Sequence, residues 1–324
     1  MSRGTDRFRL YLRFTRPFTL LPPLIGMVSG SVTALGALAH RQEVSLAEVR
    51  VGVEWGAVLL NVALGALLAA ALNAGSNILN QWTDIENDRI NKPHRPLPSG
   101  RVTIGETLAL TLLFYLLSLL FAAAVRPEGR LHTLWVVAGG ALMTLVYSVP
   151  PARTKRFGIW ANITIATARG CLLKVAGWSC VAAIFPDPEP WFIGGVFALF
   201  LVGASTTKDY ADMDGDRAAG CRTWPIRYGT HRSARMIAPF FILPWLLIPV
   251  GCRLPAAGRA TLLTGNPTLL TALALLLAAY GVFIVRGILK DPDALARSEN
   301  HPSWTHMYLQ MMLAQVGLMV AYVF

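Results

Sequence analysis

Charged residues are scarce in this sequence, at 15% of 324 positions against 54% for hydrophobic residues. A typical soluble domain has about 25% charged residues, so the composition excludes an ordinary soluble protein. Many segments approach the roughly 20 apolar residues that cross a bilayer as one helix. The sequence therefore predicts an all-α, polytopic membrane protein.

Common metal-ligand patterns are also missing. The four cysteines show no C-x-x-C spacing, and the six histidines form neither H-x-x-x-H nor H-E-x-x-H. Zinc and haem sites consequently have little support in the sequence. Basic runs are not interleaved with aromatic residues, so the net charge of +11 indicates orientation in a membrane rather than binding to nucleic acid.

Nine candidate spans follow one another along the chain, and we expect a helix in each because lipid offers no partner for unpaired backbone groups. The first span is longer than the apolar core of a signal peptide, so we interpret it as a helix of the mature protein. The spans cover approximately residues 18–39, 55–79, 104–125, 132–149, 159–184, 191–207, 234–253, 267–288 and 304–324.

Lysine and arginine are distributed unevenly between the loops. With a cytoplasmic N-terminus, 21 of the 29 lie on the cytoplasmic side and six on the opposite side. Such a bias favours this orientation. Residues 1–17 are then expected to form a basic N-terminus in the cytoplasm. Arg169 and Lys174 lie inside the fifth span, where charged side chains face the bundle interior, and Lys174 is the deeper, structural candidate.

Two acidic motifs follow inward-running spans. The segment NQWTDIENDRINKPHRPLPSG contains Asp84 and Asp88, and TTKDYADMDGDRAAGCRTWPIRYG contains Asp212 and Asp216. Both read D-x-x-x-D-R, with an offset of 128 residues. This spacing predicts a weak internal repeat: two pseudo-repeated four-helix halves plus one helix, with cytoplasmic active-site loops at 80–103 and 206–233.

Helical spacing gives these acids a geometry. Residues i and i+4 share one face, so Asn80, Asp84 and Asp88 are expected to form one stripe. Asp209, Asp212 and Asp216 form a second stripe if the helix continues, with an interruption expected at Gly215. Facing acidic stripes repel each other, and Mg²⁺ bound through carboxylates and substrate phosphates relieves that repulsion. The two motifs thus predict half-sites for a Mg²⁺-bridged diphosphate.

Basic and aromatic residues complete the candidate site. Arg153, Lys155 and Arg156, in the loop after the fourth span, are suited to phosphate oxygens. The alternative is that these three only set orientation in the membrane. Candidates for flanking a carbocation by cation–π contact are Trp82, Tyr147, Trp178 and Tyr210.

These motifs resemble the UbiA superfamily of intramembrane prenyltransferases, which carries N-x-x-x-D-x-x-x-D and a second D-x-x-x-D. INKPHRPLPSG and YSVPP resemble the branch with digeranylgeranylglyceryl phosphate synthase, homogentisate prenyltransferases and chlorophyll synthase. The resemblance spans the whole chain, 1–324, as one domain. It departs at Gln81, where many members have Asp, and at Trp224, where Leu is common.

The resemblance implies that Mg²⁺ and basic residues bind a prenyl diphosphate and stabilise the leaving diphosphate, and that an acceptor captures the allylic cation. The expected metal ligands are Asn80, Asp84, Asp88, Asp212 and Asp216. Lys155 joins the four aspartates as a catalytic residue. The expected substrate-binding residues are Asn80, Arg95, Tyr147, Arg153, Arg156, Lys208 and Asp209.

Alternatives remain open at this stage. A UbiA-type terpene cyclase would use the same site, and a transporter would also show half-repeats, although transporter sites lie nearer the midplane. The acceptor is an aromatic acid, a quinol precursor, a tetrapyrrole alcohol or a glycerol phosphate, and the prenyl length is open. We expect a multi-pass protein of a bacterial cytoplasmic membrane, with its active site facing the cytoplasm.

Overall fold

The computed structural model describes residues 3–256, 258–298 and 301–324, which are helical apart from loops, turns and an isolated bridge between Ala256 and Arg259. The α-helices of this part of the chain are α1 Arg3–Thr15, α2 Leu21–Gln42, α3 Trp55–Thr83, α4 Ile85–Asn91, α5 Ile104–Ala124, α6 His132–Ser148, α7 Ile159–Ala166, α8 Leu173–Ser179, α9 Glu189–Ala204, α10 Met213–Ala218, α11 Trp224–Ile237, α12 Leu247–Gly251, α13 Pro267–Lys290, α14 Ala294–Arg297 and α15 Pro302–Val323.

Seven of the nine predicted spans are confirmed as apolar helical segments long enough to cross a membrane, within the residues described above. The predicted fourth span is the shorter, 17-residue α6, and the predicted fifth is divided between α7 and α8. The count of nine and the two-halves arrangement stay predictions. The seven segments are Pro17–Gln42, Trp55–Thr83, Ile104–Ala124, Glu189–Lys208, Trp224–Gly251, Pro267–Lys290 and Pro302–Val323.

The first span packs in the centre of the bundle, against α3, α8 and α15. Ser29 Oγ donates to the carbonyl oxygen of Gln315 in α15 at 2.7 Å. Gly30 lies so close to α8 that an added methyl group would be 2.8 Å from the Cα atom of Gly177. The interpretation of this segment as a helix of the folded protein agrees with these contacts.

The predicted fifth span is held tightly between its neighbours. Its helix widens into a π-helical stretch at Thr167–Leu172. A methyl group at Gly170 would lie 2.6 Å from Ala198 of α9, and one at Gly177 would lie 2.6 Å from the carbonyl oxygen of Met27 in α2. Non-bonded carbon atoms prefer about 3.5–4.0 Å, so these glycines set the close approach of three helices.

Lys174 is buried in this segment without an acidic partner in the described part of the chain. Its Nζ donates to Ser29 Oγ at 2.7 Å and to Gln315 Oε1 at 2.9 Å, and it lies 5.4 Å from the centre of the Phe197 ring. The amine therefore links α8 to α2 and α15. The expectation that Lys174 faces the bundle interior is confirmed.

Two of the spanning helices end at the acidic motifs. α3 ends at Thr83 and α4 begins at Ile85, with Asp84 at the junction. After α9, a 3₁₀ turn covers Ser205–Lys208, and α10 begins only at Met213. The interruption expected at Gly215 is wrong, because Gly215 lies within α10 and the chain leaves helical geometry before it. Each motif thus continues on a short, separate helix.

A buried carboxylate ties several segments together at the other end of the bundle. Glu189, at the start of α9, is fully buried and forms ion pairs with Arg41 of α2 and with Arg259. It also accepts hydrogen bonds from the Tyr322 hydroxyl at 2.6 Å and from the Thr264 amide at 2.7 Å. Both groups lie far along the sequence, so Glu189 fixes the C-terminal part against α2.

Candidate active site

The two acidic motifs meet through their short helices. α4 and α10 pack against each other, and Asn87 Nδ2 of α4 donates to Asp216 Oδ1 of α10 at 2.9 Å. Asp88 and Asp216 each continue a helical turn, because their amides bond to the carbonyl oxygens of Asp84 and Asp212. The stripes predicted from the sequence therefore face a common space despite the helix breaks.

That space is a polar cavity of about 170 Å³. Ten residues of the predicted site line it: Asn80, Asp84, Asp88, Arg95, Tyr147, Lys155, Lys208, Asp209, Asp212 and Asp216. Sequence reasoning missed Arg16 and Lys92 as members of the lining and Asn87 as a partner of Asp216. Lys92 had a signal, since it follows the first motif within the same loop.

Three carboxylates in the cavity are paired with cations. Lys155, which is buried, forms an ion pair with Asp84, and its Nζ also donates to Thr83 Oγ1 at 2.8 Å. Arg95 Nη1 lies 2.6 Å from Asp88 Oδ2. Lys92 crosses from the first motif to pair with Asp212 of the second. The paired carboxylates of each motif are thereby balanced by cations that are not part of the acidic stripe itself.

Arg153 and Arg156 do not line the cavity. Arg153 Nη2 donates to the carbonyl oxygen of Thr83 at 2.6 Å and lies 3.8 Å from Asp84 Oδ1. Arg156 Nη2 donates to the carbonyl oxygen of Ala219 at 2.7 Å, which holds its loop against the end of α10. Lys155 therefore lines the cavity, whereas Arg153 and Arg156 donate to backbone carbonyl oxygens outside it.

Burial and neighbouring carboxylates raise the pKa values of two aspartates in the segment of the second motif. Burial raises the pKa of Asp209 well above its usual range, and the charges of Asp216 and Asp212 raise it further. Burial, with the charges of Asp212 and Asp84, raises the pKa of Asp216 to about 7. By contrast, burial is the main cause that lowers the pKa of Lys155. Asp209 and Asp216 each lie near other carboxylates, and a bound cation would reduce the repulsion between them.

No three acidic, histidine or cysteine side chains in the described residues are close enough to form a ready-made metal cage. The donor set nevertheless fits Mg²⁺, which binds one or two carboxylates and takes its other oxygens from water and substrate phosphates. Asn80 Oδ1, which accepts from Ser148 Oγ at 3.2 Å, adds an amide oxygen beside the carboxylates. The residues are suited to a metal that arrives with a phosphate ester.

An apolar cavity of about 60 Å³ adjoins the polar one. Ser76, Thr144, Ala168 and Arg169 line both, and the remainder of the apolar lining comes mainly from aliphatic residues of α2, α3, α6 and the Thr167–Leu172 stretch. Arg169 thus lies where the polar and apolar spaces join. A ligand with an anionic head and a hydrocarbon tail matches this arrangement.

The predicted aromatic residues are separated by the fold. Tyr147 lines the polar cavity, and the other three do not. Trp178 is buried beside Arg41, whose guanidinium carbon lies 5.7 Å from the ring centre. The Tyr210 hydroxyl is 2.8 Å from Ser233 Oγ, and Trp82 packs in small apolar clusters with neighbours such as Leu79. Tyr147 is the aromatic residue of this set that is placed to face a substrate.

Comparison with known proteins agrees with the cavity chemistry. A profile of the UbiA prenyltransferase family matches residues 45–308. The chain is 29% identical over 321 residues to the bacteriochlorophyll synthase 33 kDa chain of Cereibacter sphaeroides, covering 98% of this chain and 95% of that protein. It is 30% identical over 228 residues to the chloroplastic homogentisate solanesyltransferase of Arabidopsis thaliana, covering 68% of this chain and 55% of that protein.

The fold is shared with a solved structure of a UbiA homologue from Archaeoglobus fulgidus bound to GPP and Mg²⁺. The TM-score is 0.64 at 20% identity, over 95% of this chain and 99% of the other. The family match includes both acidic motifs and most of the apolar helices. The resemblance predicted from the two motifs is therefore confirmed: the chain belongs to the UbiA prenyltransferase family and is a multi-pass membrane prenyltransferase.

Proposed function

We propose that the protein transfers a prenyl group from a polyprenyl diphosphate to a lipophilic or aromatic acceptor and releases diphosphate, in a Mg²⁺-dependent reaction. The observation that carries this proposal is the joining of two acidic motifs and several cations in one polar cavity that continues into an apolar one. A prenyl diphosphate has the matching division into a charged head and a hydrocarbon tail.

The residues proposed to hold the metal are Asn80, Asp84, Asp88, Asp212 and Asp216. When bound, Mg²⁺ would supply charge neutralisation for the leaving diphosphate. Three of these four carboxylates are balanced by the ion pairs of Lys155, Lys92 and Arg95. With a metal and a diphosphate bound, the carboxylates would hold the metal, and the ammonium and guanidinium groups would be available to phosphate oxygens.

Among these cations, Lys155 is proposed to have the most direct role in the reaction. Its Nζ contacts Asp84 and Thr83 at the cavity wall, and Lys155 lines the cavity, so its ammonium group is proposed to contact a phosphate oxygen of the donor. There it would stabilise the charge that develops as the allylic C–O bond breaks. Arg95, Tyr147, Lys208 and Asp209 are proposed to contact substrate from the same lining.

Arg153 and Arg156 act differently in this proposal. Their hydrogen bonds to backbone carbonyl oxygens support the loop that carries Lys155, so any contact with the donor would require a rearrangement. We propose that Arg153 assists through its proximity to Asp84 and that Arg156 acts mainly by holding the loop.

The apolar cavity is proposed to receive the start of the prenyl tail. Its volume of about 60 Å³ is too small for a long polyprenyl chain, so the remainder would extend between the helices toward lipid. Aliphatic walls also keep water from the reacting carbon, which matters because water would convert the allylic cation to a prenyl alcohol.

The orientation proposed from the sequence has the N-terminus and the active site on the cytoplasmic side. Its support is the excess of lysine and arginine on the side of the acidic motifs, which follows the positive-inside rule. A cysteine-accessibility assay at the 89–103 loop tests this orientation independently of activity.

The function is tested by a screen of prenyl diphosphates against acceptors, with the full chain in nanodiscs and products identified by mass spectrometry. A prenylated acceptor together with released diphosphate supports the proposal. A cyclic hydrocarbon from donor alone would instead support the cyclase alternative. Absence of product from every pair, in protein that remains folded, would count against transfer.

A further inference from the structure

We propose that α1 lies in the membrane interface and binds anionic phospholipid through an exposed face of four residues. In this arrangement Phe8 and Leu12 lie against the acyl chains, and Arg9 and Arg13 bind the phosphate of the headgroup. These four side chains are the lipid face of α1. None of the four lines the polar or the apolar cavity, so this surface lies outside the candidate active site.

The opposite side of α1 is fixed to the rest of the protein. Phe14 is buried in a small apolar cluster with residues of α3 and of the loop before α5. Arg7 forms an ion pair with Glu106 of α5, and its Nη1 donates to the carbonyl oxygen of Arg101 at 3.1 Å. The Tyr11 hydroxyl donates to Glu106 Oε1 at 2.6 Å. These contacts hold α1 in one orientation, which decides the side that stays open.

The open side carries two neighbouring stripes of different chemistry. A helix turns by about 100° per residue, so Phe8 and Leu12 form one stripe, and Arg9 and Arg13 form the next stripe around the helix. Phe8 is 68% exposed and Leu12 is 47% exposed. Both arginines are exposed as well, and among the residues described they have neither an ion pair nor a side-chain hydrogen bond.

The position of α1 places these stripes at the membrane boundary. The first apolar span begins at Pro17, two residues after α1 ends. Glu106, which α1 contacts, lies in the first turn of α5, another apolar span. Around it, Ile104 and Leu108 of α5 are 51% and 41% exposed. Exposed apolar side chains at this level are typical of an interfacial helix, whose apolar face enters the boundary between headgroups and acyl chains.

The charge of the lipid face indicates an anionic ligand. Arg9 and Arg13 lie one helical turn apart, and like charges at this spacing repel each other. A phosphate between them relieves the repulsion, and the guanidinium fork matches its oxygens. The only acid in the α1 sequence is Asp6, so the helix keeps a net positive charge. Anionic lipid attracts such cations to a membrane surface.

Another protein or a second copy of this chain is the competing occupant. A stable protein interface buries about 1,200–2,000 Å² and uses roughly 20–30 residues on each side. The lipid face has four residues, of which two are apolar. A single phospholipid needs no more than this, because one acyl chain lies along Phe8 and Leu12 while the phosphate reaches the adjacent arginines. We therefore assign the surface to phospholipid.

The first test counts the lipids that remain bound to the full chain. The protein in detergent is titrated with equal amounts of phosphatidylglycerol and phosphatidylcholine that have the same acyl chains, and native mass spectrometry resolves the bound species. We expect phosphatidylglycerol to bind at least about tenfold more tightly than phosphatidylcholine, as for cations near an anionic surface. Equal affinities for the two lipids would overturn the inference.

A double variant assigns that preference to α1. Arg9→Gln with Arg13→Gln should lower the affinity for phosphatidylglycerol at least about tenfold and leave that for phosphatidylcholine within about twofold. The matched control is Arg227→Gln with Arg232→Gln, which removes two exposed cations that lie over the Tyr228 ring of α11. An equal loss in the control would show that the lipid follows net charge, and the assignment to α1 would be wrong.

A photo-crosslink tests the apolar stripe in nanodiscs that contain phosphatidylglycerol. The photoreactive residue p-benzoylphenylalanine replaces Leu12 and, as a control, Asp214, whose side chain is 86% exposed on α10. We expect lipid adducts at position 12 and none at position 214. A crosslinked dimer at position 12, or the absence of lipid adducts there, would contradict the lipid assignment. None of these measurements depends on catalysis, so they stand apart from the proposed transfer reaction.

Discussion

Replacing Lys155 with methionine is expected to lower kcat/KM for the prenyl diphosphate by about tenfold to a hundredfold. The Lys155 ammonium group is buried at the cavity wall and touches two oxygens, on Thr83 and Asp84. If one of these contacts passes to a phosphate oxygen, the variant loses one charge-assisted hydrogen bond, which is worth about 1.5–3 kcal/mol. Each 1.36 kcal/mol of transition-state stabilisation corresponds to about tenfold in rate.

The assay is donor-dependent kinetics at saturating acceptor in nanodiscs, with product measured by mass spectrometry. Arg156→Met is the matched control, because it removes one positive charge from the same loop but donates outside the cavity, to Ala219. A thermal melt and an accessibility assay confirm folding and orientation in both variants. Unchanged donor kinetics in Lys155→Met, or a larger loss in Arg156→Met, would refute the assignment.

Three further outcomes are expected. Removal of divalent cations should abolish product formation and added Mg²⁺ should restore it, so full turnover in excess chelator would contradict the metal assignment. Asp84→Ala and Asp212→Ala should each lower turnover by at least about two orders of magnitude; well-folded variants with near-normal rates would place the metal elsewhere. Glu189→Gln should lower the free energy of unfolding by about 1–3 kcal/mol, because Arg41 and Arg259 lose the buried charge of Glu189 but keep their ion pairs with Asp187; denaturation measures this loss, and kcat of the folded protein should stay within about twofold.

The acidic half of the site was predictable because its signal is local in sequence. Spacing of four residues places Asp84 and Asp88 on one face, and the repeat of the pattern at Asp212 and Asp216 predicts that the two segments act together. The structure brings all four to one cavity. Apolar length likewise predicted the seven confirmed spans, since crossing a bilayer demands it.

The cations were harder to predict because their roles depend on contacts across the fold. Lys155 and Arg156 are adjacent and carry the same charge, yet one lines the cavity and the other donates to a backbone carbonyl. Lys92 joins the site by reaching Asp212, 120 residues away. Arg16 joins the lining from a turn whose carbonyl oxygens accept hydrogen bonds from side-chain amides of α3. No spacing rule encodes such pairings.

Lys174 has a consequence for how the chain is assembled in the membrane. A lysine near the middle of an isolated spanning helix costs about 2.5–3.5 kcal/mol on insertion scales, and Arg169 in the same segment adds to that cost. One of the two hydrogen-bond acceptors for Lys174, Gln315, belongs to α15 and lies 141 residues further along the chain. Because a chain is synthesised from its N-terminus onward, the segment from α7 to α8 must remain in the membrane, or beside the insertion machinery, with this amine incompletely hydrogen-bonded until α15 has followed. Biogenesis of this enzyme is thus coupled to α15, and a variant truncated before Gln315 would expose an unsatisfied amine to membrane quality control.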